Sequence, residues 1–185
     1  MPNWVKNLVY ARHKDKELIA AFKGKNAYGE EKDVTFNAIV PTPPGVFLDD
    51  IGANSPANNW YVFNMKNWGT KWDACDGVAC GDHVEFNTAW SSPAPIIKAL
   101  ANMLNDAIIC VYADEDIGSN CGAYVYFPDG EEDKNSEVVD KEEDLYKNRI
   151  AIDPTDMFAA YVHYGDEPGS YVKQYLDWNY PEDEE

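Results

Sequence analysis

Two cysteines and a histidine lie close together in the middle of the chain, at Cys75, Cys80 and His83, in a Gly- and Asp-rich stretch that predicts a loop. Thiolate sulfur and imidazole nitrogen are donors that Zn²⁺ prefers in proteins, and Cys110 and Cys121 follow, so a four-ligand zinc site can be written down. The spacing lacks the paired two-residue form of zinc-binding cysteines. Cys110 also lies in an apolar run, where a thiol behaves as a small buried hydrophobe. The pattern therefore favours four ordinary thiols, with no metal and no cofactor.

Other residue patterns that could indicate a disulfide or a catalytic site are weak. A disulfide between Cys75 and Cys80 is disfavoured, because thiols in the cytosol are normally reduced. The histidines at 13, 83 and 163 have no neighbour at catalytic spacing, and no phosphate-binding glycine loop, nucleophile elbow or His-Glu-x-x-His helix occurs. The sequence therefore names no catalytic residue and predicts a protein that is not an enzyme. A zinc-binding protein or enzyme stays as a further alternative.

Acidic residues dominate the charge and are unevenly distributed. The chain has 15 Lys and Arg residues against 33 Asp and Glu residues, a formal net charge of −18. Up to Ala113 there are 10 basic and 12 acidic residues, whereas beyond it there are 5 basic and 21 acidic residues. A surface of this sign argues against direct binding to nucleic acid or to anionic membranes. The charge is a local feature added to an almost neutral region.

The densest acidic block runs from Asp129 to Asp144 and contains nine acids and two lysines. Blocks of like charge are commonly solvated loops or tails, and the last residues, 181–185, are interpreted as an acidic tail. The competing hypothesis is that the block binds a basic partner. Its candidate partner-binding residues are Asp129, Glu131, Glu132, Asp133, Glu137, Asp140, Glu142, Glu143 and Asp144.

The pattern of apolar residues predicts the elements that must carry these groups. Helices are expected at residues 14–22 and 57–67, after Ser92-Pro93, and after Asp153-Pro154. Strands are expected at 4–10, 34–40, 84–90, 107–112 and 122–127, where β-branched and aromatic residues are frequent. The last two strands can pair as a hairpin, so the sheet is at least partly antiparallel and the fold class is α+β.

Large aromatic side chains cluster in two motifs, Asn67-Trp68-Gly69-Thr70-Lys71-Trp72-Asp73-Ala74 and Phe86-Asn87-Thr88-Ala89-Trp90-Ser91-Ser92-Pro93-Ala94-Pro95. Trp68, Trp72 and Trp90 are interpreted as structural anchors of the core, against the alternative of an exposed aromatic platform. Together with the opening Met1-Pro2-Asn3-Trp4, the motifs resemble the YubB-like proteins of plasmids and phages, over residues 1–10 and 58–128. That resemblance implies a ferredoxin-like domain with helices packed on one face of the sheet. It transfers no catalytic residue.

The domain organisation expected from these patterns is a ferredoxin-like core over residues 1–128 and an acidic insertion over 129–148. Helices over 149–180 would complete the same domain, before the tail at 181–185. No apolar run approaches the roughly 18 residues of a membrane span, and the start lacks the order of a signal peptide, which favours a cytoplasmic protein.

Two functions are open at this point besides the zinc-binding alternative. The first is a phage, prophage or plasmid protein whose acidic, nucleic-acid-mimicking surface blocks the basic groove of a host defence nuclease or of its nucleoprotein complex, as anti-CRISPR and anti-restriction proteins do. The second is a mobile-element accessory protein that binds another protein through its sheet or its Trp-rich corner, with the acids serving only solubility.

Overall fold

The computed structural model describes residues 2–114, 120–129 and 149–152 of the chain. Six strands form one sheet, in which every neighbouring pair is antiparallel. In chain order the described elements are β1 (Trp4–Ala11), α1 (Asp15–Phe22), β2 (Gly24–Lys25), β3 (Glu31–Lys32), a 3₁₀ turn (Phe36–Ala38), α2 (Trp60–Asn67), β4 (Cys75–Ala79), β5 (His83–Ala89), α3 (Ala94–Leu104), β6 (Ile108–Asp114), β7 (Cys121–Tyr126) and β8 (Arg149–Ile152).

The order of strands across the sheet is β4-β5-β1-β6-β7-β8. The first four of these strands, with α1 after β1 and α3 after β5, form a β-α-β-β-α-β unit of the ferredoxin-like kind. Strands β7 and β8 extend the sheet beyond β6, and β2 pairs only with β3 in a small separate hairpin. The expected α+β class and the hairpin between the strands at 107–112 and 122–127 are confirmed.

The main core lies between the sheet and the two long helices. Leu18 and Phe22 of α1 and Ile96, Ile97 and Leu100 of α3 are completely buried. Both helices pack on one face of the sheet, since their side chains join a single cluster with alternate residues of the strands. A smaller cluster, which contains Tyr10, Ile109 and Val125, lies on the other face.

The segment from Val34 to Val40 is a correction, because it contains a 3₁₀ turn instead of the predicted strand. The Asp73 carboxylate accepts hydrogen bonds from the Thr35 hydroxyl at 2.6 Å and the Phe36 N–H at 2.7 Å. The Thr35 side chain in turn accepts from Asn37 N. These side chains satisfy backbone donors that a strand would satisfy by pairing, so the turn is the stable alternative.

Helix α2 begins three residues later than predicted. Asn59 is its N-cap, with a side-chain oxygen that accepts from Val62 N at 3.1 Å. Ser55, which with Pro56 precedes the predicted start, accepts from Gly52 N within the preceding loop. Met65 of this helix is 44% exposed, although the apolar pattern favours a place in the core.

The stretch predicted as a loop around Cys75 to His83 is a strand followed by a tight turn. Strand β4 pairs with β5 through an irregular register between Cys75 and Val78. The turn residues Gly81 and Asp82 are closed by a 2.8 Å hydrogen bond from Cys80 N to His83 O. Gly and Asp made the sequence look irregular, although both fit this bulged strand and its turn.

The start of α1 is tied to the turn between α3 and β6 by the buried carboxylate of Asp106. It accepts from the backbone N–H groups of His13, Lys14 and Ala107 at 2.8, 3.0 and 2.9 Å, and its other contact is His13 Nδ1 at 3.0 Å. His13 therefore has a structural contact in the fold.

The C-terminal part of the chain differs from its prediction where it is described. Residues 149–152 were assigned to a helical region but form strand β8, which pairs with β7. The predicted helix after Asp153-Pro154 and the acidic tail lie outside the described residues.

Candidate partner-binding surfaces

The acidic segment is inserted between two paired strands. Tyr126, the last residue of β7, is the register partner of Arg149, the first residue of β8. Directly opposed residues of an antiparallel pair have Cα atoms about 5 Å apart. The chain therefore leaves the sheet and re-enters it at one place, and residues 127–148, which include the acidic block, connect the two strand ends.

Asp129, the first acid of the block, is held by helix α3. Its carboxylate lies 2.7 Å from Lys98 Nζ and accepts from Asn102 Nδ2 at 2.8 Å, while its N–H donates to Asn102 Oδ1 at 2.8 Å. Lys98 also donates to Phe127 O at 2.8 Å. The hydrogen bonds from Lys98 and Asn102 lower the pKa of the Asp129 carboxyl. Asp129 thus fixes the beginning of the segment.

The other predicted partner-binding acids lie outside the described residues. They are Glu131, Glu132, Asp133, Glu137, Asp140, Glu142, Glu143 and Asp144.

Trp68 is a core residue. It is 2% exposed, its indole N–H donates to Val40 O at 3.0 Å, and Phe36 and Phe63 pack edge-on at 5.9 and 5.8 Å between ring centroids. The turn that follows requires Gly69, which has φ +75° and lies so close to the Pro95 ring that a Cβ atom would be 2.7 Å from Pro95 Cδ.

Trp72 and Trp90 belong instead to a partly exposed row with Trp4, which we call the tryptophan row. The ring centroids of Trp4 and Trp72, and those of Trp72 and Trp90, are each 5.9 Å apart. Lys71 Nζ lies 4.7 Å from the centroid of the Trp72 ring and 5.6 Å from that of Trp90. Trp90 is 49% exposed and has φ +64° at the corner between β5 and α3. The interpretation of Trp90 as a core anchor is therefore wrong, and the row corresponds to the alternative of an exposed aromatic surface.

A cleft of about 210 Å³ lies beside the Trp68 turn, and the sequence patterns did not indicate it. Its lining combines aromatic rings with carboxylates and includes Tyr28, Asp49, Asp50, Trp60, Trp72 and Asp73. Aromatic faces and carboxylates together attract the cationic side chains of Lys and Arg. Burial raises the pKa of Asp73, whose carboxylate is occupied by the backbone and hydroxyl donors of the 3₁₀ turn.

The four-ligand zinc set that the sequence left as an alternative is not brought together among its described members. Cys75 lies at the far end of β4, opposite Asn87, and Cys110 is buried next to Ser92 Oγ at 3.4 Å. Burial raises the pKa of the Cys110 thiol to about 12, so it is protonated at neutral pH. Cys75, Cys80 and Cys110 are free thiols, and no disulfide joins Cys75 to Cys80.

Cys80 and His83 do come together, with Glu85 as a third group that the spacing did not indicate. The Cys80 sulfur, a His83 ring nitrogen and a Glu85 oxygen all lie within 4.8 Å of one another. His83 is 4% exposed and stacks on Tyr10, with ring centroids 4.7 Å apart. Hydrogen bonds from Lys6 and His83 lower the pKa of the Glu85 carboxyl. Alternation along β5, which puts His83 and Glu85 on one face, was the signal that could have found Glu85.

Comparison with known proteins agrees with this architecture. Residues 67–154, just under half of the chain, match a family model described as a ferredoxin-like domain in Api92-like proteins. The match begins at the end of α2 and runs through β8, while β1 and α1 complete the β-α-β-β-α-β unit outside it. The fold is therefore ferredoxin-like, and the match supports a ferredoxin-like family.

No curated protein gives a significant match to the chain. No solved structure does so either. Within the described residues, no helix has both the length and the apolar character needed to cross a membrane.

Proposed function

We propose that this protein is a non-enzymatic accessory protein of a phage, prophage or plasmid that binds and inhibits a host defence enzyme of the CRISPR or restriction type. It acts in the host cytoplasm, and its partner is the basic, nucleic-acid-binding groove of that enzyme or of its nucleoprotein complex. The contact surface is the acidic segment 129–144. The resemblance of the tryptophan motifs to YubB-like proteins of plasmids and phages supports the mobile-element origin.

The observation that carries the proposal is the insertion of the acidic segment between the paired ends of β7 and β8. A solvated tail needs no such attachment, whereas a binding segment gains from ends that are held by a folded sheet. Asp129 adds a second attachment through Lys98 and Asn102. The segment is thereby presented from one defined place on an almost neutral scaffold.

Electrostatics explains how such a segment would compete with nucleic acid. Duplex DNA carries about one negative charge per 1.7 Å of axis, and the channels of enzymes that bind it are correspondingly basic. Eight acids and three lysines lie in residues 130–148. Opposite charges accelerate the encounter with a basic groove and strengthen binding at low salt. The carboxylates that line the cleft beside Trp68 would also attract a basic partner.

Affinity capture from a bacterial host lysate tests this proposal. With the whole chain immobilised, we expect a DNA-binding nuclease to be retained at about 50 mM salt and released at about 0.5 M salt, because charge pairs at the rim of an interface are screened. Mass spectrometry identifies the captured protein, and added duplex DNA should displace it. Capture that resists both salt and DNA would contradict the proposal.

The tryptophan row favours a second candidate function. Trp90 is half exposed beside Trp72 and Trp4, and exposed tryptophans with a nearby cation are typical of protein-binding hot spots. In this alternative the protein is a mobile-element accessory module that binds a protein through the row, and the acids serve solubility alone. Removal of the acidic segment separates the two functions, since only the first requires it.

A further inference from the structure

The turn between β4 and β5 places three potential metal ligands on one face of the sheet. Cys80 and His83 lie opposite each other on either side of the two-residue turn Gly81-Asp82. Opposed residues of a hairpin extend their side chains to the same face. Glu85 follows His83 by two positions along β5, so the pleat gives it that face as well. The convergence is therefore built into the backbone of the hairpin.

The separation of the nitrogen and oxygen ligand atoms matches that around a tetrahedral zinc ion, and the sulfur lies nearby. Zinc bonds of about 2.0 Å to oxygen, 2.05 Å to nitrogen and 2.3 Å to sulfur imply nitrogen-to-oxygen and sulfur-to-oxygen separations of roughly 3.3 and 3.5 Å. His83 Nε2 lies 3.2 Å from Glu85 Oε1, and Cys80 Sγ lies 4.0 Å from the same oxygen. The Cys80 sulfur, which lies within 4.8 Å of the other two ligand atoms, would move towards them to complete the set.

The histidine is flanked by a carboxylate on each side of its ring. Nδ1 lies 2.8 Å from Asp82 Oδ1, which keeps a proton on Nδ1. Nε2 lies 3.2 Å from Glu85 Oε1 and forms a hydrogen bond with it. A metal ion at this point would take the place of the Nε2 proton and be coordinated by both atoms. A carboxylate on the distal nitrogen is the usual support of a zinc-bound histidine.

We propose that Cys80, His83 and Glu85 form a zinc site, with Asp82 positioning the His83 ring. A thiolate and a carboxylate balance the two positive charges of Zn²⁺, and the sulfur ligand makes Mg²⁺ and Ca²⁺ poor occupants. Lys6 donates to Glu85 Oε2 at 2.8 Å, which leaves Oε1 for the metal. Binding forms the zinc–sulfur and zinc–nitrogen bonds and releases the Cys80 proton and the His83 Nε2 proton to solvent, so the affinity rises with pH. A metal bound here would stabilise the β4–β5 turn. The site does not depend on the proposed binding to a defence enzyme.

Titration of the metal-free whole chain with Co²⁺ tests the site, because tetrahedral Co²⁺ with a thiolate ligand has a sulfur-to-cobalt charge-transfer band and strong visible bands. We expect one equivalent of Co²⁺ to produce both sets of bands and Zn²⁺ to displace it. We also expect Zn²⁺ to raise the melting temperature of the wild-type protein.

Substitutions assign the bands to residues. Cys80→Ser is expected to abolish the charge-transfer band, and Asp82→Asn is expected to weaken Co²⁺ binding by about 10- to 100-fold. Cys75→Ser is the matched control, since Cys75 is a half-buried thiol of the same strand, and its spectrum should be unchanged. Far-ultraviolet circular dichroism verifies that each variant is folded.

Two outcomes would overturn the proposal. One is the absence of a thiolate band in the folded wild-type protein, which would leave His83 as an imidazolium held between Asp82 and Glu85. The other is a band that persists in folded Cys80→Ser protein, which would assign the metal to other cysteines.

Discussion

Replacing residues 130–148 with the tripeptide Gly-Asn-Gly is expected to abolish binding of the captured partner and to leave the sheet folded. The register partners Tyr126 and Arg149 already bring the two strand ends together, so a short connection can join them. Asp129 and its contacts with Lys98 and Asn102 are retained in this variant. A shorter loop lowers the entropic cost of closing the hairpin by about 1 kcal/mol, so stability should not fall.

The stability and the partner binding of this variant are measured on the same purified protein. Urea unfolding followed by circular dichroism gives its stability, and capture of the partner identified from the lysate gives its binding. Retained binding by the folded variant would contradict the acidic-segment proposal and favour the tryptophan row as the contact surface.

Substituting Trp68 by Ala is expected to lower the free energy of unfolding by about 3–5 kcal/mol, the range for removal of a large buried aromatic side chain. The ring fills the space between Phe36 and Phe63, and its N–H satisfies Val40 O. This loss is a large part of the stability of an ordinary domain.

Trp90→Ala is the matched control for Trp68→Ala, because it removes the same atoms from a half-exposed position. We expect Trp90→Ala to lower the free energy of unfolding by about 1 kcal/mol or less. Both are measured by urea unfolding, with Trp68→Phe as an intermediate variant that keeps part of the packing. Equal losses for Trp68→Ala and Trp90→Ala would show that the core described here is wrong.

The main elements of the fold could be predicted from sequence because their signals are local. The apolar stripe of helix α3 indicates a buried face, and Ile96, Ile97 and Leu100 are completely buried, although Met103 at its end is 51% exposed. The hairpin of β6 and β7 follows from two runs of β-branched and aromatic residues around a short connection. Such periodicity reports directly which face of an element is buried.

The missed elements depend on partners that are distant in sequence. The 3₁₀ turn at Phe36–Ala38 exists because Asp73, more than thirty residues away, accepts from its backbone. Strand β4 contains Gly and Asp, and its strand character comes from pairing with β5. No local propensity indicates either contact, so a strand was predicted at the first place and a loop at the second.

The candidate sites could be predicted only in part, for related reasons. The sequence located the acidic block, yet the pairing of β8 with β7, which fixes the ends of that block, depends on residues 149–152 being a strand. The sequence also indicated Cys80 and His83 as candidate metal ligands, but it grouped them with Cys75. In the structure the turn at Gly81 and Asp82 places Glu85, and not Cys75, next to these two residues. Trp90 was interpreted as a core anchor, whereas its positive φ at the corner leaves the ring half exposed.

Inhibition of DNA cleavage by the captured nuclease, measured with charge-reversed protein, tests whether the acidic segment binds the enzyme. The test variant carries Glu131→Lys, Glu132→Lys and Asp133→Lys. Its control carries Glu17→Lys, Glu31→Lys and Asp33→Lys, three exposed acids of the scaffold, so both variants have the same net charge. We expect the test variant to lose at least about 100-fold in inhibition, equivalent to roughly 1 kcal/mol for each reversed charge, and the control to stay within about 3-fold of wild type. Equal inhibition by the two folded variants would contradict the assignment of the acidic segment as the surface that binds the enzyme.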